Sequence, residues 1–510
     1  GDAERSLRAL QLGGLMPAQP WTIRPVYGAS TAQSLTDDRH PWQSRWQADS
    51  TARQPAWSVL RPSAKVVYNS SFPVQAGDGP VWAGRGVTAA LQGGLAVEFG
   101  RLRVQVAPIA FIAQNQAFSL AANGLAGDAR VRDARFPATV DAPQRFGEHA
   151  YARLDPGNST VSFDAGKAML GVSTAAQSWG PAQDFPLLLS ATPGGFLHAF
   201  VATKSPLNLG ILDLHARLIA GKLTQSDFSP KTTAPYNRWA SAIALVFIPH
   251  GVDGLELGLT RFIEGPSERG IPTPARIARL FSTGLSGKAE LTGLNEASEN
   301  QLASVFARWA FPSAGIEVYG EYLREDYSFD LRRFLQYPDD YGAYVLGLQR
   351  ILANRPGALR VLRIEIMNAE LSSSNRGERG DLVNHELHAP QPLYVHSVET
   401  QGHTNRGLFL GSPEAFGGAG WRVSIDRFDT RGRISFSLAR TLRLDWLPGL
   451  VDSVGMHPDV QWGLRAEALR FSGDRDYTLS IEPMIDLNRN LRSGNDVFNV
   501  RIAASIRGLR

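Results

Sequence analysis

The chain contains no cysteine. That excludes disulfides, Cys-ligated zinc, thiol catalysis and a lipid anchor on an N-terminal cysteine. It also lacks a long hydrophobic run. The longest, near Trp239 to Ile248, is strand-sized, well short of the roughly 18 apolar residues of a membrane helix. Charge of one sign is scarce: 52 Lys+Arg stand against 48 Asp+Glu, a net +4, too small a surplus for a nucleic-acid partner. There is no P-loop, no GxGxxG after a strand, no HExxH and no GxSxG elbow. The ten His show no metal-ligand spacing beyond the distant pair His396 and His403, so no metal and no cofactor is expected. The N-terminus, Gly1-Asp2-Ala3-Glu4, has neither a charged n-region nor an apolar h-region. The chain is therefore expected to be cytoplasmic or to have lost a signal peptide.

What is present points to β-structure. Glycine is 50 of 510 residues, above the usual ~7%, and helix-favouring runs are rare. Length alone allows several domains, but β-barrels routinely exceed the ordinary domain size as one unit. Residues 1–80 read apart from the rest. Asp2 is placed to cap a short helix bearing Leu7 and Leu10, closed by Gly13-Gly14. A segment rich in proline and tryptophan follows, with Trp21, Trp42, Trp46 and Trp57. We expect a helical and irregular N-terminal region over 1–80 and a barrel over 81–510.

From Gly86 onward the period is 2. Phe498, Val500, Ile502, Ala504 and Ile506 share one face, with Asn499, Arg501, Ser505 and Arg507 on the other. Trp421, Val423 and Ile425 alternate with Arg422, Ser424 and Asp426, and Ile434, Phe436 and Leu438 alternate with Arg433, Ser435 and Ser437. A soluble sandwich also alternates, with its polar face outside. Three features favour a membrane barrel with its polar face inside. The strands are longer than the usual 5–6 residues. Aromatic residues (Trp421, Trp462, Tyr477, Phe498) sit near strand ends, as interfacial girdles do. The polar face carries Arg, Glu and Asp together. The fold class expected is all-β: a transmembrane antiparallel barrel of about 18 strands. Its later strands are expected to include 391–401 and 403–411, joined at Gly402. In the first part, 86–100 with 102–115, and Tyr151–Leu154 with Thr160–Phe163, read as hairpins; 116–150 has no assignment. Connections alternate between short and long, and the long set, including 266–300 and 371–390, is expected to be extracellular. In 266–300, Thr273 is placed to cap a helix with Pro274 at N1 and Ile277, Leu280 and Phe281 on its apolar face. The chain ends Gly508-Leu509-Arg510, without the terminal aromatic common in outer-membrane barrels.

Candidate chemistry is sparse. Glu317, Glu321, Glu325 and Asp326 lie on or beside one strand and imitate a glycosidase pair; lumen ion pairs explain them as well. Aromatic and polar clusters in loops suit carbohydrate, whose C–H faces stack on rings and whose hydroxyls need short polar partners. Trp179 with Asp184 is one such cluster. Another is Tyr327, Phe329 and Tyr337 among Asp326, Asp330, Arg332 and Arg333. Arginines there would favour an acidic polysaccharide, and structural aromatics holding loops in place account for both clusters equally.

Several blocks carry a resemblance. They are Gly171-Val172-Ser173-Thr174, Ser178-Trp179-Gly180-Pro181, Leu187-Leu188-Leu189-Ser190 and Gly195-Phe196-Leu197-His198, then Glu317-Val318-Tyr319-Gly320-Glu321-Tyr322 with Asp326. They continue with Tyr394-Val395-His396, Gln401-Gly402-His403-Thr404-Asn405-Arg406-Gly407 and Leu410-Gly411, and earlier with Leu7–Gly13, Asp78-Gly79 and Trp82-Ala83-Gly84-Arg85-Gly86. In order and spacing the chain resembles the capsule assembly Wzi family of outer-membrane proteins. The resemblance implies an 18-stranded outer-membrane barrel with a small helical element on the periplasmic side. It implies a lectin-like protein, not an enzyme, that binds exported capsular polysaccharide and helps organise or attach it at the cell surface. No catalytic residues carry over. The implied partners are that polysaccharide and outer-membrane lipid with lipopolysaccharide, around a monomeric barrel. A channel or porin, and a structural subunit of an envelope assembly, are the alternatives. Candidate polysaccharide-binding residues are Trp179, Asp184, His198, Glu321, Arg324, Asp326, Tyr327, Arg332, His403, Asn405 and Arg406. Of these, the Gln401–Arg406 group is equally suited to holding a barrel plug.

Overall fold

The computed structural model describes residues 8–9, 11–13, 22–24, 41–42, 56–191, 193–282, 299–325, 331–355, 357–372, 391–396, 399–443 and 457–508. Eighteen antiparallel strands close into one barrel. They are β1 Trp57–Asn69, β2 Gly86–Phe99, β3 in two pieces (Leu102–Val106 and Ile109–Ala113), β4 in two pieces (Tyr151–Asp155 and Thr160–Ala165), β5 Ala168–Ser173 and β6 Leu197–Thr203. Then come β7 Leu212–Leu223, β8 Arg238–Pro249, β9 Leu255–Pro266, β10 Asn300–Phe311, β11 Ile316–Glu325 and β12 Gly342–Arg355. The last are β13 Ala358–Asn368, β14 Ala419–Asp429, β15 Gly432–Leu442, β16 Val460–Ser472, β17 Arg475–Leu487 and β18 Val497–Arg507. Each strand pairs with its neighbours in sequence, and β1 meets β18 in the register Ser63↔Arg507 to Asn69↔Arg501.

The period-2 pattern has the sense expected of a membrane barrel. In β18, Phe498 is 59% exposed while Asn499 and Arg501 are buried. Around the wall, Leu154, Val201, Val305, Leu346, Phe436, Leu464 and Leu479 are likewise exposed large apolar residues, a surface that only lipid makes favourable. One end of the barrel carries tight turns such as 100–101, 430–431 and 473–474; the other carries the long connections, among them 70–85, 114–150 and the described parts of 174–196 and 369–418.

Three sequence expectations change, and one strand of the wall was not expected. Residues 57–69 fall inside the expected N-terminal region, yet they form β1. Pro62 hides this strand: it lacks an N–H and sits at a shift in the β1–β2 register between Leu60 and Ser63. Tyr151–Leu154 and Thr160–Phe163 are not two arms of a hairpin. They are the collinear pieces of β4, pairing successively with the two pieces of β3. Residues 391–401 and 403–411 are not barrel strands. Their described residues lie in the lumen, where Thr404–Asn405 and Leu408–Phe409 make a two-stranded hairpin. The run Gln401 to Gly407 has no apolar residue at every second position to offer lipid. Gly402 is thus an internal bend and not a turn of the wall. Lastly, β5 is too short to announce itself; at Gly171 a Cβ would lie 2.2 Å from the Val161 carbonyl oxygen, so the β4–β5 contact needs glycine there.

The barrel is filled. β8 turns Ala240, Ala242, Ala244 and Val246 inward, and these small residues leave room for Trp179, Phe185, Leu187, Leu188, Tyr394 and Phe416 from the long loops, all in one buried cluster. At the tight-turn end the lumen is closed by helical residues 8–9 and 11–12 and by Trp42, whose ring packs edge-on against Phe428 at 5.4 Å and Phe471 at 5.0 Å. Arg308 is the hub of this end. It donates to Glu256 and Glu317, and its Nη2 reaches Gln11 at 3.2 Å. Arg8 bonds Glu317 and the Pro181 carbonyl at 2.8 Å. On the outer wall, Pro274–Ala278 is a helix capped by Thr273 with Pro at its first position, as expected. With the next turn, Arg279–Phe281, it lays Ile277 and Leu280 over Trp239, Ile243 and Ile263, while Phe281 is exposed.

Removing one partner from a buried ion pair costs about 3–5 kcal/mol, because the other charge is left without compensation. Arg308→Met is therefore expected to lower unfolding stability in urea by that order, with Arg308→Lys losing less.

Candidate functional site

The long-loop half of the lumen holds a cavity of about 280 Å³. Its wall comes from separated segments: Val74 and Gln75, Trp82, Phe118, Asp133 and Arg135, Phe409 to Phe416, and the long-loop ends of β14–β17 with Arg422, Thr441, Gln461 and Glu482, followed by Arg443 and Arg489. Four arginines and three carboxylates (Asp133, Glu414, Glu482) thus share it with four aromatic rings, Trp82, Phe118, Phe409 and Phe416.

Local structure fixes these groups. Asp133 accepts from the backbone N–H of Arg135 at 2.8 Å and Phe136 at 2.7 Å, which folds a tight turn and aims Arg135 at the Phe416 ring, 4.8 Å away. Phe409 lies 4.8 Å from Phe416. Trp82 donates to Asn115 Oδ1 at 3.2 Å, and Asn115 in turn donates to the carbonyls of Phe146 and His149 at 2.8 and 2.9 Å. Arg489 stacks 4.0 Å over Phe72 and bonds Asp486 at 2.5 Å. Burial pulls Arg135 and Arg489 below the ordinary arginine value, and the neighbouring Arg443 adds to this in both. Carboxylates stand among these cations: Asp459 and Asp486 hold Arg443 above its ordinary value against burial. The chamber's polar valences are also incompletely used: Glu482 Oε2 and both amide atoms of Gln75 are buried without a hydrogen-bond partner among the described residues.

The residues expected from the sequence lie elsewhere. Trp179 is fully buried in the plug. Asp184 pairs with Arg363 at 3.0 Å, and its backbone N–H, with those of Gln183 and Phe185, donates to Glu365 at 2.6–2.8 Å. His198 is buried beside Phe196, whose carbonyl its Nδ1 meets at 2.7 Å. The Glu321 carboxylate sits against Gly180, where a Cβ would lie 2.3 Å away and where φ is +86°. His403 places Nδ1 3.0 Å from Glu264 and Nε2 2.8 Å from the Leu188 carbonyl. Asn405 accepts from the Thr224 N–H at 3.0 Å, and Arg406 pairs with Asp155 at 2.7 Å. Arg324 stacks 5.5 Å from Phe334. Arg332 is exposed on the helix Leu331–Gln336. Asp326 and Tyr327, with Phe329 and Asp330, lie outside the described residues. Trp179, Asp184, Glu321, His403, Asn405 and Arg406 are thus together as plug contacts, and none of them lines the chamber. No group of His, Asp and Glu among the described residues is arranged to hold a metal. The chamber residues missed by sequence reasoning carry one weak signal, arginines and aromatics recurring near long-loop ends.

No family model matches the chain, and no curated protein matches it. Solved structures do. Wzi of Escherichia coli, an outer-membrane protein involved in group 1 capsule assembly and a carbohydrate-binding β-barrel, is 12% identical, with 99% of this chain and 97% of that one covered at a TM-score of 0.64. The chain has the Wzi fold. OccK5 and OprD of Pseudomonas aeruginosa are 8% and 9% identical at TM-scores of 0.41 and 0.39, covering 89% and 90% of this chain and 98% and 95% of theirs. The chain is, by its fold, a closed 18-strand antiparallel β-barrel with the architecture of that Escherichia coli protein.

Beside the plug hairpin, burial raises loop residue Glu399 from its ordinary 4.5 to about 7; Glu264 adds to the rise, while Arg238 and Lys231 oppose it. A carboxyl held neutral in the fold stabilises it below the unfolded value, and that stability is lost as pH rises from about 4.5 to about 7. Thermal unfolding should show wild type less stable at pH 8 than at pH 5, with Glu399→Gln flattening that difference.

Proposed function

We propose that this barrel binds a surface polysaccharide at its long-loop end and helps to assemble or attach it at the cell surface, without cleaving it. The observation that carries the reading is the chamber above a filled lumen. Rings for sugar faces stand beside guanidinium, carboxylate and amide groups with unused hydrogen-bonding valence. The carbohydrate-binding character of Wzi supports it. The long loops then face outward and the tight turns the periplasm, the usual arrangement in such barrels. The chamber's arginines favour a polymer bearing carboxylate or another anionic group, which they bind in fork geometry. The packed lumen argues against a diffusion channel, since Arg308, Glu317 and Trp42 fill the path at the tight-turn end. The plug residues named above act in this reading by holding the chamber's floor.

Polysaccharide from the source organism, passed over immobilised protein, tests this. Trp82→Ala and Glu482→Gln should each weaken retention about tenfold or more, since one stacking ring or one charged hydrogen bond is worth roughly 1–3 kcal/mol. The eluted polymer should be unchanged in size. Equal retention by both variants and wild type would remove the chamber from the reading.

A further inference from the structure

We propose that Arg350, Arg355, Arg360 and Arg427 form a site on the outer wall, at the tight-turn end, for the phosphate of an anionic glycerophospholipid. The register sets these residues side by side. Arg360 of β13 stands directly opposite Arg427 of β14. On the other flank, β12 places Arg355 opposite Ala358 and Arg350 opposite Leu362, so each lies diagonal to Arg360 on the same face. All four are exposed, and no ion pair or hydrogen bond to their guanidiniums occurs among the described residues.

Like charges directly opposite one another destabilise a strand pair, and this face offers little to offset them. The one carboxylate on the outward positions of these three strands is Asp429. It is engaged by Arg470 at 3.5 Å and by the backbone N–H of Arg431 at 2.9 Å. An anion between the guanidiniums would turn repulsion into attraction, and a phosphate matches the guanidinium fork. The position selects a lipid as its source. Arg360 and Arg427 are each two residues from the turn ends of their strands, about 7 Å along the wall, which is headgroup depth. Leu346, Leu352, Ile366 and Ile425 continue the same wall as exposed apolar surface, fit for acyl chains. In the orientation proposed above this is the inner leaflet, whose lipids are phospholipids, whereas lipopolysaccharide would meet the opposite rim.

Native mass spectrometry of the delipidated full-length protein, titrated with cardiolipin, phosphatidylglycerol, phosphatidylethanolamine or lipopolysaccharide, tests the site. Wild type should hold cardiolipin and phosphatidylglycerol in preference to the other two. The double variant Arg360→Gln/Arg427→Gln should bind them about tenfold more weakly, while Arg360→Lys/Arg427→Lys should retain most of the affinity. Heat-modifiable gel migration reports that each variant is folded. Undiminished binding by the glutamine pair would overturn the proposal, as would a preference for lipopolysaccharide. Retention of soluble polyglutamate without any lipid preference would also overturn it, in favour of an acidic protein partner.

Discussion

A cylinder wrapped in hydrocarbon cannot leave charge unmatched inside it, and this constraint organises the molecule. The inward face of the wall carries Arg238, Arg308, Arg363, Arg433 and Arg501 together with Glu256, Glu264, Glu317, Glu365 and Asp426, all buried. Other parts of the chain answer many of these charges. Glu365 is answered by three backbone N–H groups of residues 183–185 and by Tyr319. Arg238 bonds Glu264 and the carbonyls of Gly402 and Thr404. Wall and plug therefore specify one another: neither set of buried polar groups is satisfied without the other.

That coupling also explains where the chamber lies. Ion pairs and helical residues close the tight-turn end, and the apolar cluster around Trp179 and Tyr394 fills the middle. Toward the long loops packing gives way, and there the wall's charges meet rings and unused polar atoms. The architecture makes a rigid receptacle from loops that would otherwise be separate, because each is fixed to the wall from inside. Rigid positioning of a few aromatic and charged groups is what recognition of a polar, flexible polymer requires.

Much of the fold was legible. The faces of β14, β15 and β18 could be read over Trp421–Asp426, Arg433–Leu438 and Phe498–Ile502, because lipid outside and polar groups inside impose period 2 there. The errors came where the same period has another cause or is interrupted. The plug segment around Thr404–Phe409 is extended, so it imitates wall strands, and Pro62 conceals β1 behind a bulge. Of the eleven candidate site residues, six lie together as plug contacts and Asp326 and Tyr327 lie outside the described residues; sequence pattern shows that such residues interact, and not with which partner. The chamber was not legible, since Trp82, Arg135, Phe416, Arg422 and Glu482 come from five segments that only the closed wall brings together.

Whether the lumen is closed by its own chain is measured directly by single-channel recording in planar lipid bilayers. The full-length protein should show no steady conductance, even at high salt; a stable open-pore current would contradict the closure.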